Sequence, residues 1–219
     1  NYYKNITCGE GGAVVSNRKR VAQRAWCMID CCRFYWKGRE RGFVPFVANG
    51  SRASEIEGAM LNAQLDRLDG MLRATRRQKK RILRETASTG LRPIKANSLD
   101  HECGTHVMYI LPTIEQAEEF ARLAGGHIAG KTGRHVYTDW DPIIARQGAH
   151  HPALNPFELP ENKGCRVDFS PERCRRSLDI LNRTVMFTTH PDRRRAEVTA
   201  LIRKVRAAAK VVLGGPGEA

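Results

Sequence analysis

The chain has 219 residues, and its 37 Lys and Arg against 23 Asp and Glu give a formal net charge of +14. A hydrophobic content of 41% is ordinary for a globular protein of this size, which can bury one or two cores. No apolar run approaches the roughly 20 residues of a membrane-spanning helix, and no signal peptide is visible. We therefore expect a cytoplasmic protein without a membrane anchor.

The seven cysteines are odd in number and irregularly spaced. Three of them fall in one helix-like stretch and make no paired C-x-x-C set. This pattern favours reduced thiols over a disulfide framework or a zinc site.

A single lysine, Lys4, stands just ahead of two short β-type runs, residues 6–8 and 13–16, which are separated by a glycine-rich turn. Glycine adopts positive φ angles without steric cost, so this pattern predicts a β-hairpin. A lysine held at the mouth of a hairpin can condense with an aldehyde as a covalent catalyst. On spacing alone, a solvated lysine beside a tight turn is the commoner explanation.

Several motifs follow one another in a fixed order along the chain. From Lys4 the sequence reads K-N-I-T-C-G-E-G-G. The later motifs are R-x-S-E-I from Arg52, G-A from Gly58, A-Q-L-x-x-L from Ala63, N-P-F from Asn155 and S-L-D-I-L-x-R from Ser177. Together they resemble the DegT/StrS family of sugar aminotransferases over most of residues 1–213. The first motif is specific, and the later ones are individually weak but correctly ordered. Together they reverse the preference for a solvated Lys4.

The resemblance implies an α/β fold, namely the C-terminal part of the pyridoxal-phosphate transferase fold of the aspartate-aminotransferase type (fold type I). It implies that Lys4 is catalytic and binds the cofactor pyridoxal 5′-phosphate as a Schiff base. In the family this lysine lies near the middle of a chain nearly twice as long. We therefore expect the C-terminal half of an enzyme, without the rest of its large domain and inactive alone.

The activity implied by the resemblance is transfer of an amino group from glutamate or glutamine to a nucleotide-linked keto-sugar or a keto-cyclitol. Lys4 would also move a proton at the donor's α-carbon. Such enzymes serve amino-sugar, antibiotic or cell-envelope polysaccharide biosynthesis, and a homodimer with shared active sites is expected. Relatives that replace the lysine act as dehydratases, and Lys4 argues against that branch.

After the hairpin, Asn17 is the expected N-cap of a helix through Cys32. Its apolar positions recur at helical spacing and predict one packed face: Val21, Ala25, Met28 and Cys32.

Residues 33–53 form a loop rich in aromatic side chains, which suits a buried wall, a ligand pocket or a subunit contact. In the family, an Asn-aromatic-Arg motif follows this loop, and its Asn reaches the cofactor phosphate of the neighbouring subunit. Aligning on Arg52 puts Gly50 at the Asn position, with Asn49 one residue early. Asn49 is therefore a candidate cofactor-binding residue, and Arg52 a candidate substrate contact.

Ser54 and Glu57 have capping-box spacing and predict the start of the longest helix, which runs to about Thr89. In the family this helix links the large and small domains. Gly70 interrupts it, and its expected buried stripe is Leu61, Leu65, Leu68 and Leu72.

Seven Lys and Arg without an acid fall between Arg73 and Arg84. A nucleic-acid surface is one interpretation, since positive fields attract phosphates. A solvated helix face is favoured, because the run lacks interleaved aromatics and no nucleic-acid-binding motif flanks it.

From about Cys103, strand and helix patterns alternate, which predicts a small α/β layer domain. The expected strands are residues 105–111, 135–138 and 184–189. The expected helices are residues 113–124, 141–147, 170–182 and 191–213. The predicted domains are the end of the large cofactor-binding domain (1–53), the linking helix (54–90), the small domain (91–213) and a flexible tail (214–219).

A loop from Gly148 to Lys163 carries His150, His151 and Asn155. Adjacent histidines point in different directions, and no acid or cysteine lies at useful spacing, so metal binding is the weaker interpretation and no metal is assigned. Because the equivalent family region borders the active-site mouth, the candidate substrate contacts are Tyr137, Trp140, His150 and His151.

Arg183 is expected to form a structural salt bridge rather than to clamp a carboxylate. His101, Cys103 and His106 are expected at a strand edge rather than around a ligand. Two rival functions stay open: a regulatory or nucleic-acid-binding protein that uses the basic helix, and a non-catalytic fragment with an interaction role. Neither a membrane nor nucleic acid is the expected partner.

Overall fold

The structure of this chain, a computed structural model, describes residues 4–32, 43–165 and 168–214. It divides into an N-terminal unit, Asn1–Met71, and a C-terminal unit, Leu72–Ala219. The main elements are α1 (Lys19–Asp30), α2 (Glu55–Thr86), β1 (Arg92–Pro93), β2 (His106–Ile110), α3 (Ile114–Ala124), β3 (His127–Ile128), α4 (Asp141–Ile144), α5 (Arg175–Asn182), β4 (Thr184–Thr188) and α6 (Arg195–Leu213). Among the described residues, no helix is both long enough and apolar enough to cross a bilayer.

Helix α1 begins at Lys19, and the predicted cap at Asn17 is wrong. The Ser16 hydroxyl instead accepts a hydrogen bond from the Arg18 backbone N–H at 3.1 Å. This local bond turns the chain just before the helix, without a side-chain cap on the helix itself.

The buried face of α1 also differs from the predicted one. Val21 and Met28 are 44% and 54% exposed, whereas Gln23 and Cys27 are buried. Apolar residues occur on more than one face of this helix, so their spacing identified the helix but not the side that packs.

Helix α2 starts with the predicted capping box. The Ser54 hydroxyl accepts from the Glu57 N–H at 3.2 Å, and the Glu57 carboxylate accepts from the Ser54 N–H at 2.6 Å. A 3-10 turn, Ala87–Thr89, follows the helix, and Gly90 ends it in the left-handed region with φ 78°.

The buried stripe of α2 lies in its second half, not along the predicted leucines. Leu65 is 52% exposed, and the other three leucines are only partly buried. The buried positions are Thr75, Lys79, Ile82 and Thr86. Their spacing is helical, but three of the four are polar or charged, so an apolar pattern could not reveal them.

The C-terminal unit contains a four-stranded antiparallel sheet with the strand order β1-β2-β4-β3. In the central pair, Val107 lies opposite Phe187 and Tyr109 lies opposite Val185. Residues of β2 alternate between half-buried and buried, so one face of the sheet meets the core. The strands expected at 105–111 and 184–189 are confirmed.

Helices α2, α3 and α6 share one core with this sheet, to which they contribute Ile82, Phe120 and Ile202. At its centre Tyr109, Phe120 and Phe187 meet edge to face, with ring centroids 5.9 to 6.3 Å apart. The mixed α/β character expected of this part of the chain is therefore present.

Helix α3 shows both of its predicted end signals. The Thr113 hydroxyl accepts from the Gln116 N–H at 3.2 Å, and Gly125 takes φ 73° while its N–H bonds the Ala121 carbonyl. Helices α5 and α6 occupy the segments predicted for them, and a 3-10 turn, Pro171–Cys174, precedes α5.

The strand predicted at 135–138 is wrong. This stretch contains the 3-10 turns Gly133–His135 and Tyr137–Asp139, and α4 covers only the first four residues of the helix expected at 141–147. The strands β1 and β3 were not predicted, because two residues are too few to show alternation.

Candidate functional site

Lys4 has an exposed side chain, and no group among the described residues pairs with its amine. The turn that follows it is compact. The Gly9 N–H donates to the Thr7 hydroxyl at 3.1 Å, and the Cys8 thiol donates to the Glu10 carbonyl at 3.3 Å. Gly9 has φ 96°, which residues with a side chain rarely adopt, so a glycine at this place has a conformational reason.

The hairpin predicted around this turn is not formed, since residues 6–8 and 13–16 belong to no strand. Val14 and Val15 are 69% and 92% exposed. An isolated two-stranded hairpin is marginally stable, and these valines pack on little among the described residues. The turn chemistry was therefore predicted correctly, and the strand pairing was not.

Asn49 and Arg52 lie beside the C-terminal end of α1. The Ser51 N–H donates to the Ile29 carbonyl at 2.9 Å, and the Arg52 guanidinium lies 3.5 Å from the Asp30 carboxylate. Asn49 is exposed, and the Arg52 side chain is 76% exposed. Both groups remain accessible to a ligand or to another subunit.

A cavity of about 530 Å³ lies beside the first turns of α1. Its walls include three cations, Lys19, Arg20 and Arg24, and the ring of Phe43. Arg24 also lies over the ring of Phe46, 5.0 Å from its centroid. Such a wall suits a phosphate group. Three aromatic residues of the loop expected at 33–53, Phe34, Tyr35 and Trp36, lie outside the described residues.

Tyr137 begins the 3-10 turn Tyr137–Asp139 in the C-terminal unit, and Trp140 follows this turn directly. The Trp140 N–H donates to the Tyr137 carbonyl at 3.1 Å, and the Tyr137 hydroxyl accepts from the Cys174 N–H at 3.3 Å. That second bond ties the turn to the segment before α5. Trp140 is 46% exposed, so its indole is the more accessible of the two rings.

Asn155 closes the loop that carries the paired histidines. It is 5% exposed, and its side-chain oxygen accepts from the N–H groups of Gly148 and Phe157, both at 3.2 Å. Its amide donates to the Glu158 carboxylate at 3.0 Å. A Cβ at Gly148 would lie 2.4 Å from Pro156, so the closure also requires glycine there. Asn155 thus closes the loop with three side-chain hydrogen bonds, which we call the clasp.

His150 and His151 lie on this closed loop, and both are exposed. The Ala153 N–H donates to His151 Nδ1 at 3.2 Å. In the neutral ring this bond places the proton on Nε2, so His151 can offer one hydrogen-bond donor to a ligand. No group of three or more His, Cys, Asp or Glu in the described part of the chain could hold a metal ion.

Arg183 forms the predicted structural salt bridge. It lies 2.6 Å from the Asp179 carboxylate and also donates to the Leu111 carbonyl at 3.0 Å. The guanidinium holds the pKa of Asp179 below its usual value. His106 is the first residue of β2, as expected for a strand edge.

The basic run of α2 is largely engaged within the C-terminal unit. Arg76 donates to the carbonyls of His101 and Glu102, and Lys79 pairs with the Glu102 carboxylate at 2.7 Å. The Thr75 hydroxyl donates to the Cys103 carbonyl at 2.7 Å. These bonds fasten the segment before β2 onto the helix.

Other members of the run bind elsewhere in the same unit. Lys80 pairs with Asp100, and Arg81 binds the Glu85 carboxylate and the Thr199 hydroxyl, each at 2.7 Å. A nucleic-acid surface needs free cations, and a solvated face would leave these groups in water. The paired members of the run therefore have a structural role that neither interpretation described, whereas Arg73, Arg77 and Arg84 are exposed, as a solvated face predicts.

Residues 1–138 match the DegT/DnrJ/EryC1/StrS aminotransferase family, which is more than half of the chain. The chain belongs to this family. Its members are pyridoxal-phosphate-dependent aminotransferases of sugar biosynthesis, so the resemblance drawn from the motifs is confirmed. The match includes the Lys4 run, Asn49, Arg52 and Tyr137, and it ends before Trp140 and the histidine loop.

Sequence reasoning missed two features of these segments. The cationic cavity at α1 joins side chains from two stretches, and only the i, i+4 pair Arg20 and Arg24 hinted at it. Asn155 was weighed as a ligand, although Asn before Pro is also a common turn signal. That signal would have pointed to the clasp.

Proposed function

We propose that this chain contributes the catalytic lysine of a pyridoxal-phosphate-dependent aminotransferase. The enzyme moves an amino group from glutamate or glutamine to a nucleotide-linked keto-sugar or a keto-cyclitol. The observation that carries the proposal is the amine of Lys4, exposed and unpaired among the described residues, at the head of the K-N-I-T-C-G-E-G-G run of a family member.

The residues present fit the coenzyme. An aldehyde carbon needs a primary amine that no carboxylate holds, and Lys4 meets that condition in the part of the chain that the structure describes. A phosphate needs cations or backbone donors, and Lys19, Arg20 and Arg24 line one cavity of the same unit. Lys4 would hold the coenzyme covalently. Asn49 would help to bind the phosphate of the coenzyme that a neighbouring subunit holds.

When bound, pyridoxal phosphate supplies an electron sink for the bond that breaks at the amino donor's α-carbon. The chain's own part is proton transfer. The Lys4 amine would take the proton from the α-carbon of the amino donor and, as its conjugate acid, would give that proton back, so that the amine ends the exchange unprotonated.

Exposed polar and aromatic groups would bind the acceptor substrate. Arg52 suits an anionic part of the acceptor, and His151 offers a donor to a hydroxyl or phosphoryl oxygen. Trp140 and Tyr137 suit a sugar or cyclitol ring, and His150 lies next to His151. A cytoplasmic homodimer with shared active sites is part of the proposal.

The proposed fold is that of fold type I, in which residues 1–53 end the large domain, 54–90 form the linking helix and 91–213 form the small domain. Residues 214–219 are the tail.

The test is trapping the coenzyme on the full chain. Pyridoxal phosphate is added, the absorbance is recorded, and borohydride reduction fixes any bond to an amine before peptide mapping. The expected label is on Lys4, and a Lys4→Ala variant loses it while a Lys95→Ala control keeps it. A label spread over surface lysines, or none on Lys4, contradicts the proposal and favours the non-catalytic alternative.

A further inference from the structure

Helices α2 and α6 lie side by side in the C-terminal unit and run in the same direction. The Gln78 side chain donates to the His190 carbonyl at 2.6 Å, and Arg81 binds Thr199 at 2.7 Å. Further along, a Cβ at Gly90 would lie 3.6 Å from Leu213. These contacts place the outward side of α2, from Leu72 onward, next to that of α6.

This surface carries cations at helical spacing. On α6, Arg203, Arg206 and Lys210 follow one another at steps of three and four, which puts them on one side of the helix, and all three are exposed. On α2, Arg77 and Arg84 are two turns apart and are also exposed. We call these five residues the α2/α6 basic face.

Few acidic groups offset the charges of the basic face. By contrast, Arg76, Lys79 and Arg81 of α2 are bound by groups of the C-terminal unit. In the described part of the chain, no group pairs with Arg77, Arg203, Arg206 or Lys210, and Arg84 only approaches Glu85 at 3.7 Å. Like charges three or four residues apart destabilise a helix. A surface that carries such like charges, with no carboxylate of its own to pair with them, is suited to binding an anion from outside the chain.

The acids of the two helices do not offset these charges. From Leu72 to its end, α2 has one acid, Glu85, whose carboxylate lies 2.7 Å from Arg81. Helix α6 also has one acid, Glu197, and it lies 3.3 Å from Arg194. The arginines bound to them hold the pKa of both carboxyls below the usual value.

The shape of the face argues against nucleic acid. A major groove of roughly 12 Å admits one helix with free flanks. Here α6 is flanked by α2 on one side and by α3 on the other, where Gln116 donates to the Val212 carbonyl at 3.2 Å. Neither α6 nor α2 from Leu72 onward contains an aromatic residue on which a base could stack.

A protein partner is also less well matched. The uncharged residues that α6 exposes are Ala196, Ala200, Ala207 and Val211, so the helix offers no aromatic anchor and only one larger apolar side chain. The apolar side of α6 is buried in the core, through Val198, Ile202 and Val205, so the helix cannot insert into a bilayer either. What fits is a flat anionic surface that is bound by charge alone.

We propose that the α2/α6 basic face is a docking surface for the anionic phospholipid headgroups of a membrane. Clusters of four to eight Lys and Arg on a helix bind such headgroups, and each cation raises the partition coefficient roughly fivefold. The bilayer is not penetrated, and binding weakens with salt because exposed charges are screened.

The test is sedimentation of the full chain with lipid vesicles. Vesicles of phosphatidylcholine with about 30% phosphatidylglycerol are compared with pure phosphatidylcholine, at about 50 mM and about 300 mM salt. The expected result is binding to the anionic vesicles at low salt only. Binding to pure phosphatidylcholine, or binding that salt does not weaken, overturns the proposal.

Charge variants localise the effect. Arg203→Gln, Arg206→Gln and Lys210→Gln together should lower the partition coefficient about 100-fold. A matched control, Lys95→Gln, Arg175→Gln and Arg176→Gln, removes the same charge elsewhere and should lower it less than about fivefold. Arg203→Lys with Arg206→Lys should retain binding, which shows that charge and not folding is measured. Equal losses in the two triple variants contradict a defined face.

A duplex of about 20 base pairs serves as the competing polyanion. Failure to displace the protein from anionic vesicles supports the membrane assignment. Tighter binding to the duplex that the α6 triple variant loses would replace a membrane with nucleic acid as the partner, and would overturn the proposal.

Discussion

Lys79 Nζ lies 2.7 Å from one carboxylate oxygen of Glu102 and 2.8 Å from the other. The Lys79 side chain is 8% exposed and that of Glu102 is 26% exposed. Breaking a pair so far from water leaves an uncompensated charge, so Glu102→Gln should destabilise the C-terminal unit by about 3 kcal/mol. Chemical denaturation measures this change.

The control for that pair is Asp100→Asn, which removes the exposed pair with Lys80 and should cost less than about 1 kcal/mol. Replacing both partners, Lys79→Met with Glu102→Leu, should recover much of the loss, because no charge is then left buried. Equal effects of Glu102→Gln and Asp100→Asn would show that the Lys79–Glu102 pair is not special.

Two glycines, Gly70 and Gly104, should respond to alanine in opposite directions. A Cβ at Gly70, inside α2, meets nothing within 4 Å, so Gly70→Ala should stabilise by about 0.5 to 1 kcal/mol. Gly104 has φ 69°, and a Cβ there would lie 2.8 to 3.0 Å from the backbone of Thr75 and Arg76. Gly104→Ala should destabilise by more than about 2 kcal/mol. Thermal unfolding of the two variants gives both signs, and a neutral Gly104→Ala would argue against the close approach.

His106 makes stability depend on pH. Burial, and then the nearby Lys79 ammonium, lower the pKa of this half-buried ring. As pH falls below about 6.5, the unfolded chain binds the proton before the folded chain does. The stability that the neutral His106 ring contributes is fully present above that pH, and it is lost as pH falls through the pKa of the folded state. His106→Gln should make the unfolding free energy depend less on pH between about pH 7 and pH 5. Parallel wild-type and variant curves would contradict this account.

Lys4→Ala should lower transamination by at least about 10³-fold in the full enzyme, since one amine acts both as anchor and as proton carrier. The measurement is single-turnover release of the keto acid. Lys4→Arg keeps the charge but not the nucleophile, so it should be equally inactive. A retained rate in either variant would remove the assignment of Lys4.

Asn155→Ala should loosen the histidine loop. The N–H groups of Gly148 and Phe157 lose their acceptor, so their hydrogen exchange should speed up by about tenfold or more while Val185 in the core is unaffected. If the loop contacts the acceptor, KM for the acceptor rises more than kcat falls. Unchanged exchange at both positions would show that the clasp does not hold the loop.

The sequence indicated most helices and both central strands, because caps, helical spacing and alternation are local signals. It also indicated the family through a resemblance, whereas the assignment of Lys4 as the cofactor lysine stays a prediction. It failed where tertiary contacts decide. The buried stripe of α2 includes Thr75, Lys79 and Thr86, whose burial depends on Cys103, Glu102 and Tyr109, residues that are distant in the chain. The valines after Lys4 form no strand, because alternation requires a partner that the local sequence does not supply.

The role of Asn155 shows the same limit at the candidate site. The residues next to it in sequence predict a turn, but the three hydrogen bonds of its side chain depend on how Gly148 and Glu158 are placed. The tautomer of His151 likewise depends on a single backbone N–H, from Ala153. Contacts of this kind are fixed by geometry and have no signature in residue type.

The pairing of β2 with β4 joins His106 to Thr188, roughly eighty residues later in the chain. During synthesis, β2 leaves the ribosome long before its partner exists, and loop closure must then bring the two strands together. The segment before β2 contacts α2, which is synthesised earlier, so these contacts can form before β4 exists. They can hold the nascent strand against its helix until β4 has been synthesised.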